Sequence, residues 1–512
     1  MKKWLIVTSA VCYISLISIV ISTNAQTGRK RTKTVSRPNI ILIVADDLGY
    51  GETGCYGQKI IKTPNIDRLA SEGIRFTDFY AASPVCAPSR CGMLTGRHSG
   101  NGYIRDNVEV GAWDSYMGQM PLKDSTFTLG SLMKTAGYKT ACMGKWGLGG
   151  PGSSGIPLNQ GFDYFFGYLC QRHAHNYYPD YLWQNDVKKT LDNPPIHPHQ
   201  KLQGNPADPA AYQKYHGNEY SQDLITKEAL RYISENRDTS FFLYLAYTLP
   251  HLALQVPERY LAHYQGKLDD KPYLGQNGYL PCQYPRATYA AMIAALDDYT
   301  GQIMARVVEA GLDSNTLILF TSDNGATFDV GGADSYFFQS NGKLRAGKGT
   351  LYEGGIRVPL IARWPGHIKP KGVSSLICAS WDFMPTFADL SGSKLSHNHD
   401  GISLIPEIIG IKGQKKHDYL YWEYPGRGGA MAVRIGEWKG VWKNVTSEPY
   451  RRVELYNLKS DTGERQNIAK NHPDKVKQIM ECMSKRTMSE NPEWNFIGKK
   501  FLKNITPGKK PN

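Results

Sequence analysis

Short, uninterrupted apolar runs alternate along this chain with longer segments of helical spacing. Residues 38–45 form the first run, and it stops abruptly at Asp46 and Asp47. Three more repeat the arrangement: 139–143 leads into Gly144-Lys145-Trp146, 241–247 into Pro250-His251, and 316–322 into Asp323-Asn324-Gly325. A strand buried on both faces reads as a continuous apolar run, and such burial is the mark of a parallel sheet. Between the runs, 64–72, 128–136, 221–235 and 287–310 predict helices. The last places Tyr289, Met292, Ile293, Leu296, Tyr299, Ile303 and Val307 at helical spacing. Strands alternating with helices predict an α/β fold whose large, mostly parallel sheet is flanked by helices. Ligands of such sheets bind beyond the carboxyl ends of the strands, where all four polar clusters fall.

The pattern changes near residue 391. A polar stretch over 391–400 marks a boundary. Beyond it, 419–423, 431–434, 439–442 and 454–458 are of strand length, and 472–484 reads as a helix. These predict a smaller C-terminal antiparallel sheet plus helix. Residues 184–215, rich in Pro, Asn, His and Gln, read as an inserted loop. At the other end, Lys2 and Lys3 precede an apolar run over 5–21, and Thr23-Asn24-Ala25 offers a small-residue cleavage site. That is the form of an export signal, with an uncleaved anchor as the alternative, because the run is nearly as long as a short membrane span. The expected division is 1–25 signal peptide, 26–37 polar linker, 38–395 large catalytic domain and 396–512 smaller C-terminal domain. An exported protein, periplasmic or extracellular and without stable membrane insertion, is expected.

Composition narrows the partners. The 512 residues carry 60 Lys and Arg against 46 Asp and Glu, a net charge of +14. Such an excess suits an anionic partner. No long basic run or nucleic-acid motif is present, so an anionic substrate is expected and nucleic acid is not. The nine cysteines are scattered, with neither zinc spacing nor a disulfide framework.

Candidate chemistry centres on two places. Adjacent carboxylates at a strand end are either held together by a cation or solvated in a turn, and hard cations take oxygen ligands. Pro88 predicts a helix that begins at or just after Cys86. Backbone N–H groups and the helix dipole there favour anions, and Arg90, one turn on, adds a fixed positive charge. Read alone, Cys86 is either a nucleophile in an anion site or a small buried side chain at a helix start.

The longer string decides more. Cys86-Ala87-Pro88-Ser89-Arg90 followed by Leu94-Thr95-Gly96 resembles the signature of the type I sulfatases, the formylglycine-dependent branch of the alkaline phosphatase superfamily. The resemblance runs from about residue 37 to about residue 469. It implies an alkaline-phosphatase-like fold, hydrolysis of sulfate esters with release of sulfate, and a maturating enzyme that converts Cys86 to formylglycine. It further implies that Asp46, Asp47, Asp323 and Asn324, with residue 86, hold a calcium ion (Ca2+). Arg90 matches the arginine that contacts the formylglycine. Lys348, in Gly347-Lys348-Gly349-Thr350, matches a sulfate-binding lysine, and His251 an active-site histidine. Lys145 matches the lysine of a Gly-Lys-Trp-His-Leu-Gly string, but here the histidine position is Gly147. His173 and His175 lie close in sequence and either contact the substrate in its place or cap a loop.

Residues 149–181 resemble bacterial exported arylsulfatases and N-acetylgalactosamine-sulfatase-like enzymes of polysaccharide breakdown, which implies a sulfated saccharide substrate. The region of Glu423 and Arg427 is expected to face it. The implied mechanism is attack on sulfur by a hydrated aldehyde, loss of the alcohol, and expulsion of sulfate by the second hydroxyl. The alternatives are a phosphate or phosphonate monoester hydrolase of the same superfamily, a non-catalytic binder of sulfated glycans, or transfer of sulfate to another acceptor.

Overall fold

The Asn39–Asp46 strand lies in the interior of a ten-stranded sheet, between Phe241–Pro250 and Thr316–Ser322, and is parallel to both. Lys139–Lys145 and Tyr164–Tyr168 continue in the same direction beyond Phe241–Pro250. On the other side Leu360–Arg363 runs antiparallel, and the short Ile74–Phe76 and Gly372–Ser374 strands complete that edge. The computed structural model describes residues 37–109, 119–268, 271–446 and 453–495. The expected signal peptide, and the expected linker up to its final residue, lie outside the described residues.

The strands read as continuous apolar runs because both faces of the sheet are dry. Ile41, Ile43 and Ala45 join one apolar cluster, while Ile40, Leu42 and Val44 join another. Phe241–Pro250 divides in the same way, with Leu243 and Leu245 against Phe242 and Tyr244. The Ser221–Glu235 and Pro285–Glu309 helices cover the first face. Cys86–Thr95, Leu129–Thr135 and Phe383–Ser391 cover the second. Local chemistry sets the helix ends: proline opens Pro64–Ser71 and Pro285–Glu309, and Thr128 Oγ1 accepts the Ser131 N–H at 3.1 Å.

The 184–215 segment is not loop throughout. Tyr181–Gln184 and Val187–Thr190 form an antiparallel hairpin at one sheet edge, and Ala210–Gln213 is a helical turn. Every residue of Val187–Thr190 is exposed, so no buried face imposes an apolar alternation on its sequence. None of the described cysteines is in a disulfide.

Four antiparallel strands make the C-terminal sheet, in the order Leu420–Tyr424, Ala430–Ile435, Trp438–Lys443 and Glu454–Asn457. The Pro473–Met483 helix covers one face through Val476, Ile479 and Met483. The other face sets Trp422, Ala432 and Val441 against Tyr80, Val85 and Trp381. Trp422 Nε1 donates to the Ala81 carbonyl at 2.9 Å, so this sheet braces the chain just ahead of Cys86.

A buried ion network fixes that docking. Lys439 Nζ lies 2.8 Å from Glu353 Oε1 and 3.0 Å from Glu464 Oε1, all fully buried. Burial pushes the Glu353 carboxyl up, but Lys439, Arg357 and Arg434 outweigh it and hold it low. Burial and the Glu353 charge push Glu464 up despite Lys439. Lys439→Met strands two buried carboxylates without their shared cation. The expected loss is about 3–5 kcal/mol, read from the denaturant midpoint. Adding Glu464→Gln is expected to recover part of it, and a single variant as stable as the parent would contradict this account.

Candidate active site

Four strand ends bring their polar residues to one place. Asp46 closes the central strand. Asp47 then turns the chain with φ of 65°, a left-handed conformation that Asp tolerates better than most residues. The Asp47 N–H donates to Asp323 Oδ1 at 3.2 Å, tying the two neighbouring strand ends together. Asp323 and Asn324 follow Thr316–Ser322, Lys145 closes Lys139–Lys145, and His251 follows Phe241–Pro250. The Asn324 turn depends on Gly325, where a Cβ would lie 1.8 Å from the Gly354 carbonyl oxygen.

Cys86 is the first residue of its helix, with Val85 extended before it. Asn107 Oδ1 accepts the Ala87 N–H at 2.9 Å, and the Ser89 hydroxyl donates to the Asp323 carbonyl. Cys86 Sγ donates to Asp46 Oδ1 at 3.4 Å, and Lys348 Nζ donates to Sγ at 3.3 Å. One ligand atom each from Asp46, Asp47, Cys86 and His251 falls within 4.8 Å of the others.

Three buried carboxylates thus face three buried cations. Lys145 Nζ is 2.6 Å from Asp46 Oδ2, Lys348 Nζ is 2.7 Å from Asp47 Oδ1, and Arg90 Nε is 2.9 Å from Asp323 Oδ2. Burial pushes Asp46 up, but Lys145, His251 and Arg90 outweigh it and hold its carboxyl far below the usual range. Burial and the Asp46 charge push Asp323 up. Burial, with Asp46, pushes the Cys86 thiol up to about 12, so the encoded side chain is protonated and a poor nucleophile. Burial and Lys348 push His251 down to about 4.

Asn324 completes the group. Its Nδ2 donates to Asp47 Oδ1 at 2.7 Å and to the Gly325 carbonyl at 3.0 Å, while its buried Oδ1 has no hydrogen-bond partner among the described residues. Buried amide oxygens are rarely left so. Closely spaced carboxylates with an orphaned amide oxygen form the donor set of a hard cation such as calcium.

The histidines divide. His175 stacks on His251, with ring centroids 4.8 Å apart and planes at 17°. His173 is elsewhere: its ring lies between Tyr168 and Tyr181, with Nε2 3.9 Å from Asp180. Gly147 has φ of 77°, and a Cβ there would meet Gln171 Cγ at 2.7 Å. The space beside that position is filled by Gln171, which donates to Gln119 Oε1 at 2.7 Å.

The expectation for Glu423 fails. It is fully buried, 2.5 Å from Arg105 and 2.7 Å from Arg486, so its carboxylate is enclosed in the interior. Arg427 is exposed instead, its guanidinium 4.6 Å over the Phe328 ring and beside Gly349, next to Lys348. Sequence reasoning missed Asn107 and Glu52. Glu52 Oε2 accepts the Gly49 N–H at 2.6 Å and Oε1 accepts the Tyr289 hydroxyl at 2.6 Å, closing the loop after Asp47. Neither belongs to a motif, and their partners are remote or backbone.

The family profile described as Sulfatase matches residues 38–393. The chain belongs to the sulfatase family. As a sulfatase it is a sulfuric ester hydrolase on an alkaline-phosphatase-like fold. A second profile, described as N-sulphoglucosamine sulphohydrolase, C-terminal, matches residues 346–492. Arylsulfatase A of Homo sapiens is 32% identical over 463 residues, spanning 84% of this sulfatase and 83% of the relative. The N-acetylgalactosamine-6-O-sulfatase of Bacteroides thetaiotaomicron is 28% identical, over 91% of this chain and 96% of the relative. The solved structure of Ps i-CgsB in complex with k-i-k-neocarrahexaose superposes with a TM-score of 0.71 at 28% identity, covering 90% and 94% of the two chains.

Gly147→His forces a side chain into left-handed backbone and against Gln171. The expected cost is about 1–3 kcal/mol with no gain in turnover. Thermal unfolding beside an ester-hydrolysis assay checks this; a stable, faster variant would show that the space is open.

Proposed function

We propose that this sulfatase hydrolyses sulfate monoesters of carbohydrates, using formylglycine made from Cys86 and a calcium ion held by Asp46, Asp47, Asp323 and Asn324. The observation that carries this reading is the seat of Cys86. It opens a buried helix at the strand ends, its Sγ 3.4 Å from Asp46 Oδ1 and 3.3 Å from Lys348 Nζ. Hydrated formylglycine supplies an oxygen nucleophile that the buried thiol lacks, and calcium supplies charge stabilisation at the sulfuryl oxygens.

The chain's own groups have separate tasks. Arg90, bonded to Asp323 and at 2.6 Å to the Lys145 carbonyl, holds the helix start against the strand ends. Lys145 and Lys348 present ammonium groups to an incoming sulfate. Lys348, at 9% exposure, is the more open of the two. His251 Nδ1 donates to the Leu252 carbonyl at 2.6 Å, so its proton sits there and Nε2 is left as an acceptor, 3.6 Å from Asp47 Oδ2. In that tautomer His251 offers no N–H at Nε2 to the departing oxygen, so a donor there comes from another residue.

Several features support a saccharide. The relatives include an N-acetylgalactosamine-6-O-sulfatase and a protein solved in complex with k-i-k-neocarrahexaose. Phe328, 42% exposed, offers an apolar face beside the Arg427 cation at the Lys348 end of the site. The net charge of +14 suits sulfated chains. Among the described residues no helix is long and apolar enough to cross a membrane. The amino-terminal sequence, with Lys2 and Lys3 ahead of an apolar run, supports an exported protein, periplasmic or extracellular, and the string that begins at Cys86 supports maturation by a formylglycine-generating enzyme.

Mass analysis of the peptide that carries residue 86 is expected to show the aldehyde in active protein. Cys86→Ala is expected to lower turnover by about 10^4-fold or more while leaving the unfolding transition unchanged. Calcium chelation should abolish activity and added calcium restore it. Monosulfated galactose, N-acetylgalactosamine and glucosamine isomers, assayed beside phosphate esters, define the substrate. Unmodified cysteine in fully active enzyme would overturn the proposal.

A further inference from the structure

His199 lies in the 184–215 segment, which carries no motif, yet it is bonded to the histidine that stacks on His251. His199 Nε2 is 3.0 Å from His175 Nδ1. The backbone N–H of Tyr279 points at His199 Nδ1, also at 3.0 Å. A backbone N–H can only donate, so His199 Nδ1 must accept. Burial, with Arg172 and His197, pushes His199 down to about 4, so at neutral pH it carries one ring proton. That proton must be on Nε2, and it is donated to His175 Nδ1. Burial, His251 and Lys145 hold His175 well below the usual histidine range. Its single proton is therefore on Nε2.

Among the described residues no hydrogen bond is made by His175 Nε2, although its ring is only half-buried. The ring is held from three sides. It stacks on His251 at 4.8 Å, its centroid is 5.0 Å from that of Tyr279, and its Nδ1 is bonded to His199, while the His175 backbone carbonyl accepts the Ala253 N–H at 3.3 Å. His199 is in turn packed on Tyr279 with centroids 4.8 Å apart. The result is an oriented N–H donor next to His251, whose own free nitrogen is an acceptor. Gly147, the position where the resemblance places a histidine, cannot supply such a donor.

We propose that His199 is a positioning residue that fixes His175 with its proton on Nε2, aimed at the departing ester oxygen of the substrate. The inference rests on the sulfate-ester reading of the site. His175 donates a hydrogen bond to the oxygen that gains negative charge as the sulfur–oxygen bond breaks. His251, with the opposite tautomer, accepts. Two stacked imidazoles thus hold complementary roles because different neighbours fix their protons: the Leu252 carbonyl for His251, and the Tyr279 N–H relayed through His199 for His175.

The test compares poor and good leaving groups. A sugar alkoxide needs a donor, whereas a nitrophenolate leaves without one. His199→Phe keeps the packing on Tyr279 but removes both hydrogen bonds. It is expected to lower kcat by about tenfold on the monosulfated sugar that the parent cleaves fastest, with KM little changed. The loss on para-nitrophenyl sulfate is expected to be distinctly smaller. His199→Gln, which can donate to His175 Nδ1, should recover much of the sugar-sulfate rate. Equal losses on both esters, or no loss on either, would overturn the proposal.

A second readout needs no turnover. In the Cys86→Ala background, ring nitrogen shifts of His175 should report the Nε2-protonated form with His199 present and a mixture of tautomers in His199→Phe. An Nδ1 proton on His175 with His199 intact would refute the relay. Because this measurement is made on inactive protein, it stands even if the formylglycine reading of Cys86 fails.

Discussion

Asp46, Asp47 and Asp323 are buried within a few ångströms of one another, and three carboxylates so placed repel strongly in a dry site. Lys145, Lys348 and Arg90 make the arrangement tolerable, each bonded to a different carboxylate. Burying one of these charges without its partner costs several kcal/mol, so the group stands or falls together. This constraint explains much of the surrounding architecture. The carboxylates come from adjacent strand ends because only a parallel sheet puts several carboxyl termini side by side. The cations come from a helix start, a strand end and a loop, so each closes a different side. Cys86 sits at their meeting point, where burial protects the thiol from ionising.

A second buried network is joined to the first by a few residues of chain. Lys348 serves the strand-tip cluster, and Glu353, five positions on, anchors the C-terminal sheet through Lys439. Between them the Gly349 N–H donates to the Pro84 carbonyl at 2.8 Å, directly ahead of Cys86. The C-terminal sheet therefore does more than cover apolar surface. It fixes the segment that places Lys348, and through Trp422 and Ala81 it fixes the approach to the helix that carries Cys86. Loosening Lys439 would be felt at the site through positions rather than through contact with substrate.

The strand ends were legible in the sequence because dry faces force continuous apolar runs, and a polar residue that ends such a run has few places to go. The cysteine string added the helix start. What was not legible depends on geometry that no short pattern records. Val187–Thr190 is exposed on every residue, so its strand carries no alternation. Glu423 shares a strand with Trp422 and Tyr424 but points to the opposite face, as the two-residue period requires, and there it meets Arg105 and Arg486. Its nearness in sequence to Arg427 said nothing about a shared face. The orphaned Asn324 oxygen, the Gln171 side chain beside Gly147 and the Asn107 cap each arise from long-range packing.

The site has two halves of different construction. The half around Cys86 and the three carboxylates is built on strand ends and a helix start, packed on both sides by core clusters. The half proposed to meet the rest of the substrate is built on connecting segments: His175 and His199 before and within the 184–215 stretch, Tyr279 in the chain leading to the Pro285–Glu309 helix, Phe328 after Asn324, and Arg427 in a turn of the C-terminal sheet. Rigid elements hold charge in place at low reorganisation cost, which is what stabilising a developing charge requires. Loops tolerate insertion and exchange, which is what changing a leaving group or a sugar requires. The glycine at 147 fits this division: when the rigid half cannot carry an imidazole donor, a neighbouring loop can, provided that a second histidine fixes its proton.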